Sequence, residues 1–186
     1  MRLLAPAIAP ALGLSDLQGQ PIRFGTGRRT LLSFFRDAAC PFCNFRIYEL
    51  THQHAALAAL GLDVVAVFGS SREDVLRFVA RHPRPFRIAA DPEGRSHLAY
   101  GIQRSLRGKL KAIATRVPTL LRGLRLVGLA GLNTNNLMPA DFLIDGEGRI
   151  VEAYYGGDAG DRMPMERIEL FVARGLLERG AALHTA

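Results

Sequence analysis

Apolar residues recur along this chain with two different periods, and the switching between them sets the expected order of elements. Thr30 to Phe35 and Asp63 to Phe68 are almost continuously apolar, the pattern of central parallel strands buried on both faces. Between them, Phe45, Ile47, Tyr48 and Leu50 fall on one face of a helix predicted from Pro41 to Leu60 and stopped by Gly61. Ser70 and Ser71 precede Glu73 and Asp74, a helix start whose buried stripe is predicted as Val75, Leu76, Phe78 and Val79, ending before Pro83. Phe86 to Ala90 reads as a short strand, Asp91 to Gly94 as a turn, and Ser96 to Tyr100 as a helical turn. Ala140 to Ile144 and Arg149 to Tyr154 are strands joined by Asp145-Gly146-Glu147-Gly148, a hairpin signal. A last helix from Met163 to Glu178 buries Met165, Ile168, Phe171, Val172 and Leu176, with Pro164 in its first turn. At the front, within 12–30, Leu14 to Leu17 and Pro21 to Phe24 flank Gln18-Gly19-Gln20 as a short hairpin expected to cover a sheet edge. The order is β-α-β-α-β, an insertion, then β-β-α, which predicts an α/β fold with a mixed sheet and helices on both faces.

The insertion, 102–137, differs from its surroundings. No acidic residue occurs between Glu93 and Asp141, whereas Arg95, Arg104, Arg107, Lys109, Lys111, Arg116, Arg122 and Arg125 are basic. Leu106, Leu110 and Ile113, then Leu120, Leu121, Leu124 and Leu129, sit at helical spacing, which predicts two amphipathic helices divided near Pro118 and ended by Gly131. Three readings stay open: helices packed by their apolar stripes with the charges in water, a lid or partner-docking surface, or a helix lying on a membrane surface.

With 186 residues and 48% apolar content, the chain builds one sizeable core, read as a single domain over 1–186. The net charge of +7 comes from the insertion and is read as favouring solubility and non-specific association with acidic partners, not nucleic acid. Pro6 and Pro10 interrupt the apolar start, Met1 to Leu12, and Gly13 to Phe24 already reads as folded sequence, so no cleaved leader is expected, and no apolar run is long enough to span a membrane.

The chemistry concentrates in Cys40-Pro41-Phe42-Cys43, which holds both cysteines of the chain. The motif follows a buried strand and opens a helix, so Cys40 sits where unpaired N–H groups and the helix dipole favour a thiolate. Cys40 is the expected nucleophile, exposed and of low pKa. Cys43, one turn on, is expected buried, with a higher pKa, and placed to resolve a mixed disulfide, while Pro41 costs no backbone hydrogen bond. Zinc needs about four ligands, and the motif has no second cysteine pair and only His52 and His54 near it in sequence, so no metal is expected. Arg36 either offsets Asp37 beside the cysteines or points to solvent.

Phe35 to Asn44, Asp91 to Arg95 and Met138 to Asp145 resemble the AhpC/TSA peroxiredoxin-like branch of the thioredoxin superfamily, close to the selenoprotein-L-like group, over roughly Leu14 to Val172. The resemblance implies a thioredoxin-like mixed sheet flanked by helices, with the basic helical insertion before the last two strands. It also implies a cytoplasmic, cofactor-free thiol oxidoreductase regenerated by a thioredoxin-like or glutathione-like reductant. In typical peroxiredoxins a Thr or Ser precedes the peroxidatic Cys by three residues and an Arg precedes the strand that Phe142 begins to spell; here Asp37 and Pro139 stand there, so the usual peroxide-polarising pair is missing. In thioredoxin and TlpA-like branches the matching proline is cis and its flank pairs with substrate, which implies a cis Pro139 and substrate-positioning roles for Met138 and Pro139. The reading is therefore a peroxiredoxin-like thiol-disulfide oxidoreductase acting on a disulfide or peroxide. The alternative is a non-catalytic binding module that works through the insertion.

Overall fold

The computed structural model describes residues 1–128, 130 and 134–184, with side chains described as far as Gly175. Among these residues the chain forms a six-stranded sheet in the order β1-β6-β5-β2-β3-β4. The elements are β1 (Ala7–Ile8), β2 (Arg29–Phe35), α1 (Pro41–Ala59), β3 (Leu62–Phe68), α2 (Arg72–Phe78), β4 (Arg87–Ala90), α3 (Arg95–Ala99), α4 (Leu106–Thr115), α5 (Val117–Val127), β5 (Ala140–Ile144), β6 (Arg149–Tyr155) and α6 (Met165–His184). β2, β3 and β4 run parallel, while β5 pairs antiparallel with β2, β6 with β5 and β1 with β6. The sheet is mixed, as predicted.

Alternation along β2 divides the core between the two faces of the sheet. Leu31 and Phe35 join α1, α2 and α6 through Ile47, Leu50, Val75, Ile168 and Val172 on one face. Leu32 and Phe34 join Leu12, Ile22, Tyr100, Ile102 and Leu137 on the other, where extended chain does much of the covering. The N-terminal turn forms at Ser15–Pro21 and Leu17 donates to the Ile88 carbonyl at 2.8 Å, so it caps the β4 edge.

Helix ends follow their local chemistry. Ser71 accepts from the Asp74 N–H at the start of α2, and Gly61 closes α1 with φ of +85°. The predicted stripe of α2 is narrower than expected: Val75 and Val79 are buried, but Leu76 is exposed. α6 begins at Met165, two positions after the predicted Met163; Met163 precedes Pro164, which disfavours helical backbone at that residue, and its N–H donates to Asp141 at 2.8 Å.

The insertion forms two helices with the break near Pro118; α4 packs the other way round, while in α5 Leu120 is packed against the core as expected. Gly108 and Ala112 of α4 and Gly123 and Val127 of α5 face the body, whereas Leu106, Leu110, Ile113 and Leu121 are exposed. Small residues let the helix backbones approach closely, and the larger aliphatic side chains are left outside. Leu129 and Gly131, expected to close the second helix, lie outside the described residues. Arg116, between the helices, is anchored by Asp158 at 2.8 Å, and the Lys109 ammonium donates to the Thr134 carbonyl at 2.6 Å. Among the described residues no helix is long and apolar enough to cross a membrane.

Candidate functional site

β2 carries Phe35 and Arg36 to the end of the sheet where the chain turns into α1. Cys40 is the N-cap residue in extended conformation (φ −65°, ψ 123°), and Pro41 fills the first helical turn, as expected from the motif. The turn before it is tied on every side. The Cys40 N–H donates to the Asp37 carbonyl at 3.1 Å, and the Asn44 side chain donates to the Ala38 carbonyl at 2.6 Å. Ser70, after β3, accepts the Ala38 N–H at 2.9 Å. The Asp37 carboxylate accepts backbone N–H groups of Ala39 at 2.9 Å and Asn135 at 3.1 Å. That carboxylate, expected to repel a thiolate, serves instead to join the redox turn to the end of the insertion.

Both sulfurs are free thiols, and both are fully buried. Burial of Cys40 contradicts its expected exposure, and the insertion packs on the residue beside it: α5 crosses α1 so closely at Gly123 that any added side chain would overlap the Pro41 backbone. Arg36 does not point to solvent. It is 1% exposed, with one guanidinium nitrogen 3.3 Å from Cys40 Sγ and the others donating to the Leu137 and Asn135 carbonyls. A second guanidinium, not foreseen from the sequence, lies at the other sulfur: Arg162 reaches Cys43 Sγ at 3.6 Å. Arg162 also donates to the Phe34 carbonyl at 2.8 Å, lies 4.1 Å above the Phe35 ring and is 3.7 Å from Asp141. One signal was available for it. Asp141, in an otherwise apolar strand, is fully buried, and such a carboxylate requires a cation and donors around it.

The two thiols titrate as a pair. Burial first, and then the hydrogen bond and charge shared with Cys43, push Cys40 well above the ordinary thiol value, with Arg36 opposing. Burial would raise Cys43 as well, but the hydrogen bond from Cys40 and the charges of Arg162 and Arg36 outweigh it and bring Cys43 down to about 6. The two shifts, Cys40 up and Cys43 down, run in the reverse of the order expected from helix position alone. Closure over Cys40 removes water from the sulfur that the helix terminus was expected to activate.

The expected backbone geometry at Pro139 differs. The Met138–Pro139 bond is trans, and among the described residues the cis peptide is Ala5–Pro6, so the expected cis Pro139 is corrected. Met138 is buried against Gly108 of α4, and its N–H, the donor a substrate strand would use, is taken by the Gln103 carbonyl at 2.9 Å. The Pro139 carbonyl accepts from Gly156 at 2.9 Å. An antiparallel bridge between Arg104 and Leu137 completes this pairing of the insertion with its own far end. The trans bond is consistent with it, since this backbone pairs within the chain. Thus Arg36, Pro41, Cys40 and Cys43 gather at one place, while Met138 and Pro139 connect to it through Arg36 on Leu137.

The fold is shared with solved structures of thioredoxin-superfamily proteins. A putative thiol:disulfide interchange protein DsbE from Chlorobium tepidum is 23% identical, with 90% of this chain and 96% of that chain covered and a TM-score of 0.62. Peroxiredoxin Q from Xanthomonas campestris is 14% identical over 91% of this chain and 94% of that one, with a TM-score of 0.62. The peroxidoxin BcpB from Mycobacterium tuberculosis is 13% identical over 91% and 96%, with a TM-score of 0.66. Among curated protein sequences none matches. The model of the AhpC/TSA family matches residues 7–153, from the first strand through most of the last and across the whole redox turn, and the chain belongs to that family.

Proposed function

We propose that this chain is a peroxiredoxin-like thiol-disulfide oxidoreductase in which Cys40 is the nucleophile and Cys43 resolves. The observation that carries the reading is the pair of guanidiniums, Arg36 on Cys40 and Arg162 on Cys43, around two hydrogen-bonded thiols at a helix N-terminus. Arg36 has no carboxylate within ion-pair distance among the described residues, so a thiolate is its natural counter-charge, and a buried unpaired charge is costly. At rest the hydrogen-bonded pair holds one proton and one negative charge between the two guanidiniums. As Cys40 attacks, its proton passes across the hydrogen bond to Cys43, whose lowered pKa matches a base working near neutrality.

With a peroxide, the Cys40 sulfur takes the terminal oxygen, the O–O bond breaks, and the leaving alkoxide or hydroxide takes from Cys43 the proton it had received and departs as alcohol or water; Cys40 becomes a sulfenic acid. Cys43, again a thiolate, then attacks that sulfur, the displaced hydroxide takes a proton from solvent and leaves as water, and a Cys40–Cys43 disulfide forms. With a disulfide, Cys40 displaces one sulfur as a thiolate, and Cys43 displaces the other from the mixed disulfide. A thioredoxin-like or glutathione-like reductant returns two electrons. The cycle is placed in the cytoplasm, where such reductants keep thiols reduced. A small peroxide is favoured over a protein disulfide because the Met138 N–H is already paired with Gln103 and both sulfurs are fully buried. Arg36 supplies the guanidinium whose usual position before β5 is held by Pro139.

The test is stopped-flow oxidation of the reduced protein by peroxide beside its reaction with a protein disulfide. Cys40→Ser is expected to abolish oxidation. Cys43→Ser is expected to stop at a sulfenic acid that dimedone traps on Cys40. Dimedone label on Cys43 in the Cys40→Ser variant would reverse the two roles, and an inert wild-type protein in both reactions would favour a binding module.

A further inference from the structure

The outward-facing aliphatic side chains of the insertion are not used by the redox cycle. On α4, Leu106 and Leu110 are each 57% exposed and Ile113 is 40% exposed, while on α5 Leu121 is 55% exposed and Val117 46%. Their spacing places Leu106, Leu110 and Ile113 in one row along α4, opposite the buried Gly108 and Ala112. Arg107 and Lys111 run along one flank of that row, and Arg122 and Arg125 lie beside Leu121 on α5, all exposed. Arg104, Arg107, Lys111 and Arg125 have no acidic partner among the described residues, and no acidic residue occurs from Gly94 to Ala140.

We propose that this face of the α4–α5 pair docks on the surface of an anionic lipid bilayer. An aliphatic row with basic residues along its flank is what an interfacial helix presents: the row enters the acyl boundary, and the cations meet the headgroups. Protein interfaces draw their strongest contacts from Trp, Tyr and Arg anchors in pockets, with Leu under-represented, and this row is purely aliphatic. A second copy of the same face would bring one-signed charge against itself. A lipid surface instead supplies the opposite charge and deforms around convex helices. α5 also carries Gly123, seated on Pro41, so docking brings the redox turn to the lipid boundary. The inference does not rest on the redox reading.

The experiment is co-sedimentation of the full chain with vesicles of phosphatidylcholine, and of phosphatidylcholine mixed with phosphatidylglycerol, at low and high salt. Partition is expected into the anionic vesicles only and is expected to weaken with salt. Each cation near such a surface is worth about a fivefold factor, so Arg107→Gln/Lys111→Gln/Arg125→Gln should lower partition about a hundredfold. Leu106→Gln/Leu110→Gln/Leu121→Gln should lower it by a similar factor of about a hundred, since each leucine loses its burial. These are exposed positions, and circular dichroism melts should match wild type. Cys40→Ser/Cys43→Ser should bind as wild type does, which separates this result from the thiol chemistry. Equal partition into both vesicle types would overturn the proposal. So would anionic binding that survives the leucine variant, or binding to soluble polyglutamate as tight as to vesicles, either of which would reduce the face to a charge patch for acidic proteins. A wild-type dimer made monomeric by the leucine variant, without vesicle binding, would show that a second copy covers the row.

Discussion

Arg162 is the residue that most changes the chemistry available to Cys43. It lies against a sulfur that is fully buried and is itself held by Asp141, the Phe34 carbonyl and the Phe35 ring. Arg162→Met is therefore expected to raise the midpoint of the thiolate ultraviolet absorbance above about 6, and Cys40→Ala, which removes the donor to Cys43, should raise it further. A midpoint unchanged in both variants would remove these groups as its cause. The same pKa sets a stability trend. A thiol whose folded pKa is depressed contributes stability that is fully present above its unfolded value and is lost as pH falls through its folded value. For Cys43 that window runs from the ordinary thiol value of 9.0 down to about 6, so the Tm of the reduced protein should climb with pH across it more steeply than that of Cys43→Ser. Arg36→Met leaves the Leu137 and Asn135 carbonyls without a buried donor, at about 1–3 kcal/mol each, and should slow oxidation of Cys40 by peroxide.

Among the elements, α5 is packed directly on the redox turn. It meets α1 at Gly123, where a side chain would overlap the Pro41 backbone, and overpacking such a contact costs about 1–3 kcal/mol. Gly123→Leu should lift α5, expose Cys40 and speed iodoacetamide alkylation at little change in the thiolate midpoint of denatured protein. Alkylation no faster than wild type, in a protein that still melts cooperatively, would assign the cover to another element. The segment from Asn135 to Leu137 is the second tie, because Asn135 binds the Arg36 and Gly69 carbonyls and the Asp37 carboxylate. Asn135→Ala is expected to loosen the same closure and to raise the alkylation rate in the same direction. The sequence pattern placed these helices but turned α4 over, because periodicity identifies an apolar row without saying which face the body takes. Here Gly108 and Ala112 permit a closer approach than Leu106 and Leu110 would.

For the whole molecule, acid stability follows from carboxylates fixed in the loops. Burial raises Asp91, but the hydrogen bonds and charge of His97 outweigh it, and Arg87 and Arg149 do the same for Asp16 and Asp145, so all three titrate below 3.8. Their contribution is present above that value and is lost as pH falls through the lowered values. Asp91→Asn should flatten the acid limb of the Tm profile, since His97 Nδ1 then loses the carboxylate 2.7 Å away; an unaltered acid limb would assign acid unfolding elsewhere. Cys40, raised by burial, acts at the other end, where its contribution is held below 9.0 and lost as pH rises. Reduced protein should therefore be most stable near the ordinary thiol value.

Periodicity and local chemistry in the sequence determined the element order, the two central parallel strands, the β5–β6 hairpin and the place of Cys40 at the start of α1. These depend on interactions between residues near one another in the chain, such as the apolar runs of β2 and β3, the Gly61 stop and Pro41 in the first turn. The tertiary structure alone decided that Cys40 is covered, that the Cys40 thiol is raised and the Cys43 thiol lowered, that Pro139 is trans and that the leucines of α4 face outward. Each of these depends on groups distant in sequence: Arg162 lies 119 positions from Cys43, and Leu137 lies 101 from Arg36. Burial and guanidinium placement set a thiol pKa more strongly than helix position does, and neither is encoded in the spacing of Cys40 and Cys43.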